Sequence, residues 1–209
     1  MRTGRLEAFS DGVLAIIITV MVLELREPDG ATFGALWHSS GSGLLTYVLS
    51  FLYTGIYWTN HHHMFQLTER VTGGILWANL ALLFFLSLFP FSTAWVGATH
   101  LARIPVFWYG LNLLAAGFAY WTLQAVIIHS QGKDSALKRA IGRDFKGRAS
   151  PVGYTLGCVA ALCAPGTGWD RPGLWVAIFF FVAVAALWVI PDRRIETVIA
   201  VNPAPDGDE

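Results

Sequence analysis

The first apolar stretch of the chain opens on Arg5-Leu-Glu-Ala-Phe9-Ser10-Asp11, and the second closes on three consecutive histidines, His61, His62 and His63. A carboxylate within hydrocarbon costs about 2.5–3.5 kcal/mol on insertion scales, so a helix carrying Asp11 must turn it toward protein or water. Groups of this kind could relay protons, hold a metal ion or join helices by hydrogen bonds. Consecutive helical residues are about 100° apart, so at most two of the three histidines can face one ion. The other histidines, His38, His100 and His129, are isolated. The side chains therefore favour an interhelical hydrogen-bond network, and no metal site is assigned. There is no phosphate-cradling glycine loop, nucleophile elbow or zinc spacing, so an enzyme is not expected.

Membrane-spanning helices must position these groups. The chain of 209 residues is 55% hydrophobic and 13% charged, against about 25% charged for an average soluble domain. Its mean hydropathy is +0.52. These values place it among all-α integral membrane proteins. A net charge of zero argues against nucleic acid as a partner. Six stretches are read as spans across about 30 Å of hydrocarbon: 6–25, 44–63, 74–95, 105–128, 151–165 and 173–191. The fifth is short and needs Gly168 and Trp169 at its edge. The first contains Glu7, Ser10 and Asp11 and lacks a small-residue cleavage site, so it reads as a span and not as a signal peptide. Cys158 and Cys163 read as small buried apolar side chains.

Orientation follows from the basic residues. With the amino terminus inside, Arg2, Arg5, Arg70, Lys133, Lys138, Arg139, Arg143, Lys146, Arg148, Arg193 and Arg194 are cytoplasmic, leaving Arg26, Arg103 and Arg171 outside. The segment 129–150 reads as a solvated, topology-setting loop. Asp11 then lies about 7 Å into the first span, Asn79 about 7 Å into the third, and His61 about 4 Å from the end of the second. Buried polar groups need partners. A network of Ser10, Asp11, Asn79 and one or two of the histidines (His61 and His62 foremost) is expected in this layer. Arg5 and Asn60 are counted with it, and Trp77 is a candidate donor.

Beyond Asp11, one helical face carries Gly12, Ile16, Thr19, Val20 and Leu23. The opposite face, with Leu14, Ile18, Met21 and Leu25, is bulkier and suits packing. Periodicity alone does not separate this stripe from ordinary lipid-compatible sequence, because nearly every position is apolar. Glu24 and Glu27 follow at the outer end and read as solvated charges.

The run Arg5-x-x-x-Phe9-Ser10-Asp11-Gly-Val-x-Ala-Ile16-x-x-Thr19, ending in Val22-Leu23-Glu24-Leu25, resembles the signature of the transmembrane protein 175 family of potassium channels. Tyr57-Trp58-x-Asn60-His61-His62-x-x-Phe65 resembles the end of that family's second helix. The resemblance covers residues 1–195 as one six-helix unit, leaving 196–209 as a polar, disordered cytoplasmic tail. It implies a homotetramer whose first helices line a central pore. The hydrophobic constriction would fall on Ile16, with Val20 and Leu23 lining the wider part and Thr19 supplying a hydroxyl ring. The implied function is a potassium channel with modest selectivity over sodium, needing no cofactor. Its partners would be copies of itself, potassium and other monovalent cations, and the bilayer of the cell membrane, with both termini cytoplasmic.

The competing reading is a secondary or proton-coupled transporter using Asp11 and one of the three histidines. Transporters are commonly built from repeats with helices broken near the midplane. No repeat is evident here, and Pro90 is the only proline expected well inside a span.

Overall fold

The computed structural model describes residues 3–132, 135–141, 145–163 and 172–189. The expectations for Arg2, Lys133, Arg143, Arg171, Arg193, Arg194, Gly168, Trp169 and the 196–209 tail lie outside the described residues.

Among the described residues every element is helical: α1 (Thr3–Leu23), α2 (Phe33–Gln66), α3 (Gly73–Ser87), α4 (Phe89–Ala98), α5 (Arg103–Gln131), α6 (Ala136–Ile141), α7 (Phe145–Cys163) and α8 (Pro172–Val189). Among the described residues, four segments are long and apolar enough to cross a membrane: Thr3–Leu23, Gly73–Ala98, Arg103–Gln131 and Pro172–Val189. α2 and α7 occupy the second and fifth expected spans, but their polar residues keep them from meeting that measure on composition.

α2 begins eleven residues before the apolar window that marked it. Thr32 caps its start, the side chain accepting from the Ala35 amide at 3.1 Å. Its 34 residues extend about 51 Å at 1.5 Å per residue. The third expected span is broken at Leu88, where α3 ends and α4 starts with Pro90 in its first turn. Proline has no amide to continue the helical ladder. The break is closed locally, with Leu88 donating to the Phe85 carbonyl and Ser92 to the Leu88 carbonyl. Phe89 and Pro90 are buried there, so the broken ends face packed protein.

Three other expectations change. Pro90 is not the sole interior proline, because Pro151 lies within α7. The segment 129–150 is largely helical where described, and Leu137 and Ala140 of α6 are buried, so it docks on the bundle. Cys158 is buried, but Cys163 is exposed at the end of α7, two residues past Ala161 and turned about 200° from it.

α1 packs against α2, α3 and α4, whereas α7 packs against α5 and α8. Two close approaches fix these contacts. Gly97 of α4 meets Gly43 of α2 so closely that a Cβ on Gly97 would lie 2.8 Å from the Gly43 Cα. The Phe181 ring of α8 is wedged between Gly110 of α5 and Gly157 of α7, where added Cβ atoms would lie 2.5 and 2.4 Å from it.

Candidate functional site

α1 is buried at Leu6, Ser10, Leu14, Ile17 and Met21, steps of four, four, three and four that trace one helical face. Ser10 sits in the middle of an apolar contact, and its polar atoms are fully satisfied. Its hydroxyl donates to the Leu6 carbonyl at 2.9 Å and accepts from Asn79 Nδ2 at 2.9 Å. The Asn79 Oδ1 in turn accepts from His61 Nε2 at 2.8 Å. Because an amide oxygen cannot donate, His61 carries its proton on Nε2. Its Nδ1 is buried without a partner, and the ring lies 4.5 Å from that of Phe65. The chain His61, Asn79, Ser10 thus ties α2, α3 and α1 together in one fully buried line.

Asp11, one residue on, points about 100° away from Ser10 and joins a different partner. Its Oδ1 accepts from the Trp58 indole Nε1 at 3.0 Å on the exposed side of the α1–α2 contact. Asp11 also borders a cleft of about 670 Å³ shared with Asn60 and His63. A third link lies nearer the helix ends, where His62 Nδ1 contacts Glu7 Oε1 and Gln66 Nε2 meets His62 Nε2 at 2.9 Å. With Gln66 donating, His62 has its proton on Nδ1, aimed at the Glu7 carboxylate.

The structure therefore brings Ser10, Asn79 and His61 together. It places Asp11 and His62 in two neighbouring links to α2 and α1. Asn60 bonds its own helix, Nδ2 to the Ile56 carbonyl at 2.7 Å. Arg5 is exposed, and Trp77 is 76% exposed on the outer face of α3, away from the buried line. Glu7, Trp58 and Gln66 were not expected in the network. Neither was a second buried layer on α2, the Ser42-Thr46-Ser50-Thr54 stripe. There the Ser50 hydroxyl meets Thr93 at 2.7 Å and Tyr109 at 3.0 Å. The repeat of hydroxyl residues every fourth position was the available signal.

The opposite face of α1 is bare. Gly12, Ala15, Ile16, Thr19, Val20 and Leu23 are exposed in the protomer, with Ile16 at 62% and Leu23 at 81%, whereas Ile17 is at 4%. The Thr19 hydroxyl donates back to the Ile16 carbonyl at 2.9 Å, which leaves its oxygen lone pairs free to face outward. Among the described residues, no group of three or more His, Cys, Asp or Glu side chains is placed to hold a metal ion.

Residues 5–90 match the family described as Endosomal/lysosomal potassium channel TMEM175. A Chryseobacterium protein named a potassium channel is 48% identical over 202 residues, covering 97% of this chain and all of that one. A Streptomyces collinus protein, also named a potassium channel, is 37% identical over 131 residues, 58% of this chain and 62% of its own. The fold matches the crystal structure of a lysosomal potassium-selective channel TMEM175 homolog from Chamaesiphon minutus, with a TM-score of 0.69 and 24% identity. That match covers 91% of this chain and 97% of the other. A full-length relative at this identity, a buried three-helix line beneath Phe9-Ser10-Asp11 and a shared fold lead to one conclusion: the chain belongs to the TMEM175 family of potassium channels.

Proposed function

We propose that four copies of the chain assemble around a shared axis, with the bare face of α1 lining a potassium-conducting pore. The observation that carries this reading is the exposure of Ile16 and Leu23 on a helix whose other face is fully packed. A soluble surface would not leave such a stripe, and a lipid-facing one would not need the buried polar line that fixes its rotation. In the assembly, four Ile16 side chains form an apolar neck. A neck of this kind supplies no oxygen to replace an ion's hydration shell, so it gates by dewetting. Thr19 lies one turn away with its oxygen free to accept, and four such hydroxyls offer partial compensation to a cation leaving water. The less strongly hydrated ion, potassium, crosses more easily than sodium, which makes the preference modest. The amino terminus and the α5–α7 connection lie on the cytoplasmic side of the cell membrane, and the carboxyl-terminal tail follows there. Asp11 braces the inner end of the pore helix through Trp58.

The test is potassium flux into liposomes containing the purified protein. Ile16→Asn makes the neck wettable and should raise flux above wild type. Equal or lower flux from a protein that assembles like wild type would overturn the neck.

A further inference from the structure

Away from α1, a cavity of about 170 Å³ opens between α2, α5, α7 and α8. A dry cavity of about 150 Å³ holds one benzene ring, so this one admits a single alkyl or aromatic segment. Its walls form three layers. Deepest are aromatic and aliphatic side chains, among them Tyr53, Leu114 and Phe118. Nearer the α5–α7 connection stand Tyr57 and Gln124. Tyr57 is 7% exposed, and its hydroxyl has no hydrogen-bond partner among the described residues. That hydroxyl borders the cavity beside Gly117, where an added Cβ would lie 3.9 Å from it. At the rim, Trp188 donates to the Ser150 hydroxyl at 2.7 Å, and Lys146 Nζ sits 5.8 Å from the Trp188 ring centre.

We infer that this cavity is a binding site for one anionic phospholipid of the leaflet on the side of the α5–α7 connection. The Lys146 ammonium faces the phosphate. The Tyr57 hydroxyl and the Gln124 amide donate to an ester carbonyl, and the proximal part of one acyl chain fills the aromatic pocket. The order of the layers matches the order of groups along such a lipid: charge, hydrogen-bond acceptor, hydrocarbon. A bare alkyl chain would leave the buried Tyr57 hydroxyl unpaired, which is unfavourable. The inference rests on the membrane-spanning reading of the bundle but not on conduction.

Native mass spectrometry of the detergent-solubilised protein, with phosphatidylglycerol or phosphatidylcholine of identical chains added, tests it. Wild type should retain phosphatidylglycerol about fivefold better, the order expected of one lysine at an anionic lipid. Lys146→Gln should remove that preference. Gly117→Leu, whose side chain would occupy the cavity, should abolish retention of both lipids. Tyr57→Phe, a nearly isosteric change, should lower retention without altering the headgroup preference. Equal retention of the two lipids by wild type, or undiminished retention by Gly117→Leu, would overturn the site. Gly117→Leu protein that dissociates into smaller assemblies would also overturn it, by showing that the cavity is a contact between copies. Potassium flux measured on the same samples keeps the conduction reading separate, because a protein without flux would still show these lipid differences.

Discussion

Replacing Asn79 with leucine keeps the volume of the side chain and deletes both of its hydrogen bonds, to Ser10 at 2.9 Å and to His61 at 2.8 Å. The two losses are unequal. Ser10 keeps its bond to the Leu6 carbonyl, so it loses only an accepted interaction. His61 loses the sole partner of its ring, since Nδ1 is already unpaired. An orphaned buried donor costs about 1–3 kcal/mol, and interhelical bonds in a membrane bundle average about 0.6 kcal/mol. Asn79→Leu should therefore destabilise by about 1–3 kcal/mol. For a chain of this size that is roughly 2–12 °C in thermal midpoint, at about 2–4 °C per kcal/mol. His61→Leu should cost a similar amount by orphaning the Asn79 carbonyl oxygen. The double variant removes both partners and leaves nothing unpaired between them, so it should lie within about 1 kcal/mol of wild type. Thermal unfolding of the four proteins in one detergent closes the cycle. A double variant as unstable as the sum of the singles would show that the two side chains act independently and that the buried line has no energetic meaning.

Thr19→Ala should preserve conduction while shrinking the preference for potassium, read as a shift of the reversal potential under a potassium–sodium gradient; an unchanged potential would remove Thr19 from selectivity. Gly97→Ala should destabilise by about 1–3 kcal/mol, because its Cβ would press 2.8 Å from the Gly43 backbone. Gly43→Ala, across the same contact, should be neutral or slightly stabilising, since its Cβ would meet nothing closer than 3.7 Å and alanine favours the helix. Thermal midpoints that fail to separate these two would refute the asymmetry. Gly157→Ala should also destabilise, because its Cβ would strike the Phe181 ring at 2.4 Å. Phe181→Leu in the same protein should recover part of that loss, whereas equal or greater loss in the pair would place the strain elsewhere.

Depth was readable from the sequence, and pairing was not. Counting 1.5 Å per residue from the span ends puts Ser10, Asp11, His61 and Asn79 in one layer, and the structure gathers polar atoms of all three helices there. Which atom meets which depends on helix rotation, and adjacent residues differ by about 100°. Ser10 and Asp11 cannot both face Asn79, and it is the hydroxyl that takes the dry position while the carboxylate turns to the half-exposed indole of Trp58. This division follows desolvation, since a hydroxyl is far less penalised in a buried contact than a carboxylate. Trp77 looked suitable by depth alone, but its azimuth on α3 directs it outward. The start of α2 was hidden because Ser39, Ser40, Gly41, Ser42 and Gly43 dilute the apolar signal. Two of them let α2 approach α4 at Gly97: Gly43, whose backbone meets it, and Ser42, whose hydroxyl donates to its carbonyl. The segment 129–150 was charged enough to read as a loop, yet two apolar positions, Leu137 and Ala140, suffice to dock α6.

The buried line and the bare stripe on α1 are two consequences of one angle. At about 100° per residue, Ser10 and Ile17 fall within about 20° of each other, Thr19 lies about 180° from Ser10, and Ile16 lies about 120° from it. Gly12, Thr19 and Leu23 therefore sit within about 40° of the direction opposite the Asn79 contact. A single satisfied hydroxyl, held between the Leu6 carbonyl and Asn79, sets which side chains are left uncovered. If Asp11 took the place of Ser10 against α3, the helix would turn by about 100°, carrying Ile17 and Glu24 into the open sector and Thr19 out of it, while Ile16 stayed within about 40° of its centre. A carboxylate beside α3 would then be dry, and Glu24 would enter the apolar stripe. Both changes are unfavourable, so the order serine then aspartate fixes the rotation in one sense, leaving Thr19 on the bare face and Glu24 off its centre.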